Sequence, residues 1–159
     1  MNENLARWIN ISIAKHFEPF AAGFSLPYFV EGVDERDDEV GEDHVEQRIT
    51  GPQYREKGNG KYEVTVGINF LFTALMDMAG ADSYRLDRWA GKYSEEMMEV
   101  VPIYKYGTGA DDDQSFIGCL QLNNSKARGV NIYPFGQLDK DHRVRQSEVD
   151  ALYYMDYTP

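Results

Sequence analysis

The 159-residue chain has a single cysteine, three histidines, and 16 basic residues against 27 acidic ones. Each scarcity excludes something. One cysteine, Cys119, cannot close an intramolecular disulfide, so the fold is expected to stand without oxidation and to suit a reducing compartment. Its neighbours Phe116, Ile117 and Leu120 suggest a thiol packed as a small hydrophobe. His16, His44 and His142 lie far apart, with no metal-ligand spacing, so a zinc centre is not expected. His16 falls at the edge of an apolar stripe and is read as packing, without chemistry. A net charge of −11 is wrong for gripping a phosphate backbone, which needs clustered Lys and Arg. No apolar run approaches the roughly 20 residues that span a bilayer, and no signal-like segment opens the chain. The expectation is a soluble protein made in the cytosol, where the sequons at Asn10 and Asn123 stay unmodified.

Motifs for catalysis are equally sparse. Gly60-Lys61 is followed by Tyr62 and has Arg55 where a P-loop needs its first Gly. No GxSxG elbow is present. Asp111, Asp113 and Ser115 imitate the first half of an EF-hand loop, but Phe116 stands at the required Gly and Leu122 at the bidentate Glu. Asp141-His142, between Lys140 and Arg143, reads as a solvated turn. No catalytic residue, metal or cofactor is assigned.

What the chain does have is apolar patterning and 11 tyrosines. From His44 to Leu75 it reads as a long β-hairpin. Tyr62, Val64, Val66, Ile68, Phe70 and Phe72 alternate with more polar residues at the two-residue period of a strand. Lys57-Gly58-Asn59-Gly60 supplies the turn. Gly51-Pro52 interrupts the first arm, where a missing amide donor predicts a bulge or an edge. Before the hairpin, Leu5, Trp8, Ile9, Ser12, Ile13, Phe17 and Phe20 recur at helical spacing, from an N-cap at Asn4 or Asn2 to a stop at Pro19. A short strand is expected within Ser25 to Val33. Asp34 to Asp43 is then an acidic loop with only Arg36 as internal compensation.

After the hairpin, Asp82 or Ser83 is expected to cap a helix carrying Tyr84, Leu86, Trp89, Ala90, Tyr93 and Met97 at helical spacing. Val100 to Tyr106 and Ser115 to Leu122 read as strands of a second hairpin around the acidic turn Gly107 to Asp113. Val130 to Phe135 is a further extended piece. Val144 to Tyr157 is a long closing strand, with Ser147, Val149, Ala151, Tyr153, Met155 and Tyr157 on one side. The order has no βαβ rhythm, so the expected fold is a single α+β domain over residues 1–159: a mainly antiparallel sheet packed by an N-terminal and a central helix.

The N-terminal helix, the arms His44 to Tyr54 and Lys61 to Ala74 with Thr50-Gly51, the helix DSYRLDRWAGKYSEEM from Asp82 to Met97, and the tyrosine-rich strand Ser147 to Tyr157 together resemble the lambda-type tail terminators of long-tailed bacteriophages. Val100 to Phe135 departs from that pattern as an insertion-like segment, and neck, stopper and tail-tube proteins share related designs. The resemblance implies a virion structural protein, not an enzyme, that forms a ring, typically a hexamer, at the head-proximal end of the tail. It would end tube assembly and join tail tube protein to the head connector, with DNA passing through unbound. On that reading Asp37, Asp38, Glu39, Asp111, Asp112 and Asp113 are candidates for the lumen or a neighbouring ring, where like charge keeps DNA from sticking. Tyr62, Val64, Tyr153 and Tyr154 are candidates for sheet or subunit contacts, with core packing the commoner fate of such residues. Two other classes compete: an acidic DNA mimic that occupies a basic groove, and a small enzyme working through carboxylates.

Overall fold

The computed structural model describes residues 3–32, 42–77, 79–107, 114–123, 129–139 and 143–159. Two helices, α1 (Leu5–Gly23) and α2 (Ala81–Glu96), accompany seven strands: β1 (Tyr28–Val30), β2 (His44–Gly58), β3 (Lys61–Leu75), β4 (Val101–Lys105), β5 (Ser115–Leu122), β6 (Asn131–Asp139) and β7 (Val144–Tyr157). The strands form one sheet in the order β1-β2-β3-β7-β5-β4, with β6 also on β7. Every pairing is antiparallel except β1 with β2, so the fold is α+β as the patterning predicts. The insertion-like segment supplies β4, β5 and the start of β6 to this same sheet.

The central pair is β3 and β7, matched without a break from Tyr62 opposite Tyr157 to Leu75 opposite Val144. Because side chains alternate faces, this register sets Val64 beside Met155, Val66 beside Tyr153, Ile68 beside Ala151 and Phe70 beside Val149, all buried. α1 and α2 cover that face. Phe17 from α1, Tyr93 from α2 and Phe70 from β3 meet with ring centroids 4.8 to 5.9 Å apart, and Phe72 joins Tyr93 at 5.0 Å. Buried hydroxyls find carbonyls: Tyr93 donates to Phe17 O at 2.9 Å and Tyr153 to Met97 O at 2.6 Å.

Burial pushes both phenols well above the ordinary tyrosine range. The unfolded chain releases these protons near pH 10 while the folded chain keeps them, so folding stability falls as pH rises past about 10. Urea titrations at pH 9 and 11 should show that loss, and Tyr93→Phe should flatten it; a curve unchanged by the substitution would contradict the assignment.

Several local expectations are corrected. Pro19 does not end α1; it lies on the exposed side while Phe20 and Ala21 still have core to pack against, and the helix runs to Gly23. Gly80, at φ +79°, is the N-cap of α2, and Asp82 falls instead in the first turn, where its Oδ1 accepts Asp77 N–H at 3.2 Å. Cys119 is half-buried, not fully packed away. The interruption at Gly51-Pro52 is a bulge, with the register shifting between Thr50 and Gln53 around a cis peptide. Gly51 has φ +97°, and a Cβ there would stand 3.0 Å from both Gln53 N and Thr65 O. Gly51→Ala should therefore cost about 1–3 kcal/mol in chemical denaturation, and a neutral result would mean the bulge relaxes freely.

Candidate functional site

No helix packs on the opposite face of β2, β3 and β7 in the described residues, and the alternation there is polar. Successive rows cross the strands. Arg48 aligns with Asn69, Asp150 and Asn131; Thr50 with Gly67 and Leu152; Gln53 with Thr65, Tyr154 and Gln121. Asn69 donates through Nδ2 to Glu148, and Asn131 to Asp150 at 3.3 Å. The curl of the sheet makes this face concave over about 450 Å³, lined among others by Thr50, Gln53, Thr65, Asn69, Tyr133 and Asp150. Gly67 contributes no side chain to the floor, and a Cβ there would press on Thr50 Cβ at 3.3 Å.

The edges of the sheet are treated unequally. β4 is guarded by α1: Ser12 Oγ accepts Tyr104 N–H at 2.9 Å, Trp8 Nε1 donates to Tyr106 O at 2.6 Å, and Arg7 reaches Tyr106 O and Gly107 O. Those contacts occupy backbone groups that another strand could otherwise use. β2 is covered by β1 only from Val45 to Gln47. Beyond that point, among the described residues, no strand pairs with its outer side, and from Thr50 to the tip the arm is almost wholly exposed. β6 is likewise unpaired on the side away from β7 among the described residues, with Ile132 and Tyr133 46% and 44% exposed. The sheet thus ends in two open edges on opposite sides of β3 and β7.

At the hairpin tip, Lys57 Nζ donates to Asp156 Oδ1 at 2.7 Å and lies 3.5 Å from Glu63, while Arg55 meets Glu63 at 3.0 Å. These exposed pairs hold the β2 arm on β3 and β7 without adding much stability. On the helix-facing side of the tip, burial and then the nearby Tyr157 raise the Tyr54 phenol above its usual range, although the ring is 38% exposed.

The residues singled out from the sequence separate into three groups. Asp37, Asp38, Glu39, Asp111, Asp112 and Asp113 lie outside the described residues, as does His142. Val64 and Tyr153 are fully buried and pack the subunit's own core as sheet-pairing residues, where the inward register of β3 and β7 puts them. Tyr62 and Tyr154 keep partial exposure, Tyr154 on the polar face between Thr65 and Gln121. His16 packs edge-on against Phe17 at 4.8 Å, and burial lowers its pKa against an opposing pull from Glu96. His44 is buried, with Nδ1 2.7 Å from Glu42 O. The alternation of Thr65, Gly67 and Asn69 with apolar partners marks the polar face in the sequence, whereas its concavity depends on how β2, β3 and β7 curl together.

Among the described residues, no group of three or more His, Cys, Asp or Glu side chains is placed to hold a metal ion, and no helix is long and apolar enough to cross a membrane. No family model matches the chain. No curated protein matches it either. One solved structure without a descriptive name aligns over 97% of this chain and 97% of its own, at 12% identity and a TM-score of 0.49, a likeness that carries no argument about function.

Proposed function

We propose that this chain is a structural subunit that assembles head to tail into a ring, acting as a tail terminator or a related neck or tail-tube component of a phage virion. The observation that carries the reading is the pair of open strand edges, β2 beyond Gln47 and the outer side of β6, on a sheet whose β4 edge is guarded by α1. An unpaired edge offers a row of N–H and C=O groups to another chain. Joining two different edges is a heterologous contact, which repeats from copy to copy and closes into a ring when the rotation per step allows. The resemblance in element order supplies the specific role: ending the tail tube and meeting the head connector, with a hexamer as the expected ring. The concave face, whose lining has Asp150 and no Lys or Arg, suits a surface past which DNA moves without being held.

Electron microscopy of the purified protein at high concentration tests this. Annular particles with a central opening support it; a field of small compact particles alone counts against it.

A further inference from the structure

The open edge of β2 is not straight. Past Gln47, where β1 ends, β2 pairs regularly with β3 as far as Thr50 opposite Gly67 and resumes at Gln53 opposite Thr65. Three residue steps on β2 therefore stand against two on β3, and the extra residue is taken up at Gly51-Pro52. A bulge of this kind bends the strand that carries it and increases its local twist. In a regular strand Thr50 and Gln53 would face opposite sides. Here both lie on the polar face, and Tyr54 returns to the helix side opposite Val64.

Both strands make room for the bend. Gly51 holds φ +97°, where a Cβ would stand 3.0 Å from Gln53 N and Thr65 O, and a Cβ on the facing Gly67 would press on Thr50 Cβ at 3.3 Å. Thr50, Gly51, Gln53, Thr65 and Gly67 all line the concave cavity, so the hollow lies under the bulge. Beyond it the arm is tied down. Arg55 pairs with Glu63 at 3.0 Å and Lys57 with Asp156 at 2.7 Å, which fixes the bent arm on β3 and β7.

We infer that the Gly51-Pro52 bulge sets the angle at which one subunit's sheet meets the next, and with it the number of copies that close the ring. The inference rests on the ring reading and deepens it: the open edge supplies the joint, and the bulge within that edge supplies the rotation per step. Gly51, Pro52 and Gly67 are positioning residues for that rotation. Small changes suffice. A ring of six turns about 60° at each joint and a ring of seven about 51°, so about 10° separates them. Neighbouring strands rotate against one another by roughly 10° to 35°, and a bulge shifts a strand within that range. A rotation that matches no whole number of copies gives an open filament.

Native mass spectrometry of the full chain across a concentration series tests this. Deleting Gly51 together with Pro52→Thr shortens β2 by one residue and restores regular pairing between Thr50 and Gln53. The parent should give one closed multiple of the 18.2 kDa subunit, and the shortened chain should close at a different multiple or grow without limit as concentration rises. The same multiple in both would overturn the inference and leave the ring standing. So would a folded shortened chain that no longer joins, because the bulge would then belong to the contact and not to its angle. Where the shortened chain does not melt cooperatively, Gly51→Ala is measured in its place. It keeps the residue count but forces the arm to shift, so its masses should move or spread over more than one multiple, and a single unchanged multiple would again overturn the inference. A parent that stays at one subunit at every concentration would overturn the ring and the bulge's role together.

Discussion

Replacing Phe70 with alanine should lower the unfolding free energy by about 3–5 kcal/mol, the largest single loss expected in the chain. Phe70 is fully buried at the middle of β3, with its ring 4.8 Å from both Phe17 and Tyr93 and 6.3 Å from Tyr28. It therefore joins the central strand to both helices and to β1. The flanking residues across the ladder, Gln47 and Val149, belong to β2 and β7 and are also buried, so the space cannot be refilled from a mobile surface. The cost has two parts, the lost transfer of the ring from water and the cavity it leaves. Phe70→Leu keeps most of the volume and should cost about 1–2 kcal/mol. Urea unfolding with an unchanged m-value is the measurement, and a Phe70→Ala loss below about 1 kcal/mol would mean that the aromatic cluster does not hold the helices to the sheet.

The second large effect lies where α2 begins. Asp82 is 1% exposed in the first turn, and its Oδ2 lies 3.4 Å from Arg145 Nε of β7, while the Arg145 guanidinium also donates to Ser83 Oγ. A carboxylate near a helix N-terminus is favoured by the aligned peptide dipoles, but so deep a charge still needs its partner. Arg145→Met should cost about 3 kcal/mol, toward the low end for breaking a buried pair because one third of the Arg145 side chain meets solvent. Asp82→Asn combined with Arg145→Met removes the stranded charge and should recover more than half of the loss. A double variant no more stable than the single one would show that Arg145 acts through packing and not through charge. Nearby, Asp43 holds Arg85 at 3.0 Å and accepts Leu75 N–H at 2.8 Å, so this end of α2 is fixed to the hairpin at more than one point.

The parts of the fold legible in the sequence are those governed by one strand's own period. Val64 through Phe70 and Ser147 through Tyr157 alternate cleanly because each strand has one face on the helices and the other on the polar surface. The helices showed for the same reason, and only their ends moved: packing of Phe20 and Ala21 carried α1 past Pro19, and the left-handed Gly80 took the cap expected of Asp82 or Ser83. What was not legible is which strands lie side by side. β7, from the far end of the chain, lies between β3 and β5, and that long-range insertion decides that β2 and β6 carry the open edges. Neither the parallel seating of β1 nor the length of β6 follows from local pattern, since both depend on a neighbour distant in sequence.

Light scattering coupled to size exclusion, run across a concentration series, measures most directly whether the open edges join. The expected result is a closed oligomer at a fixed multiple of the 18.2 kDa subunit, six for a ring of the tail-terminator type, growing in population with concentration without drifting in mass. A mass that stays at one subunit up to the highest concentration reached would contradict the assembly role.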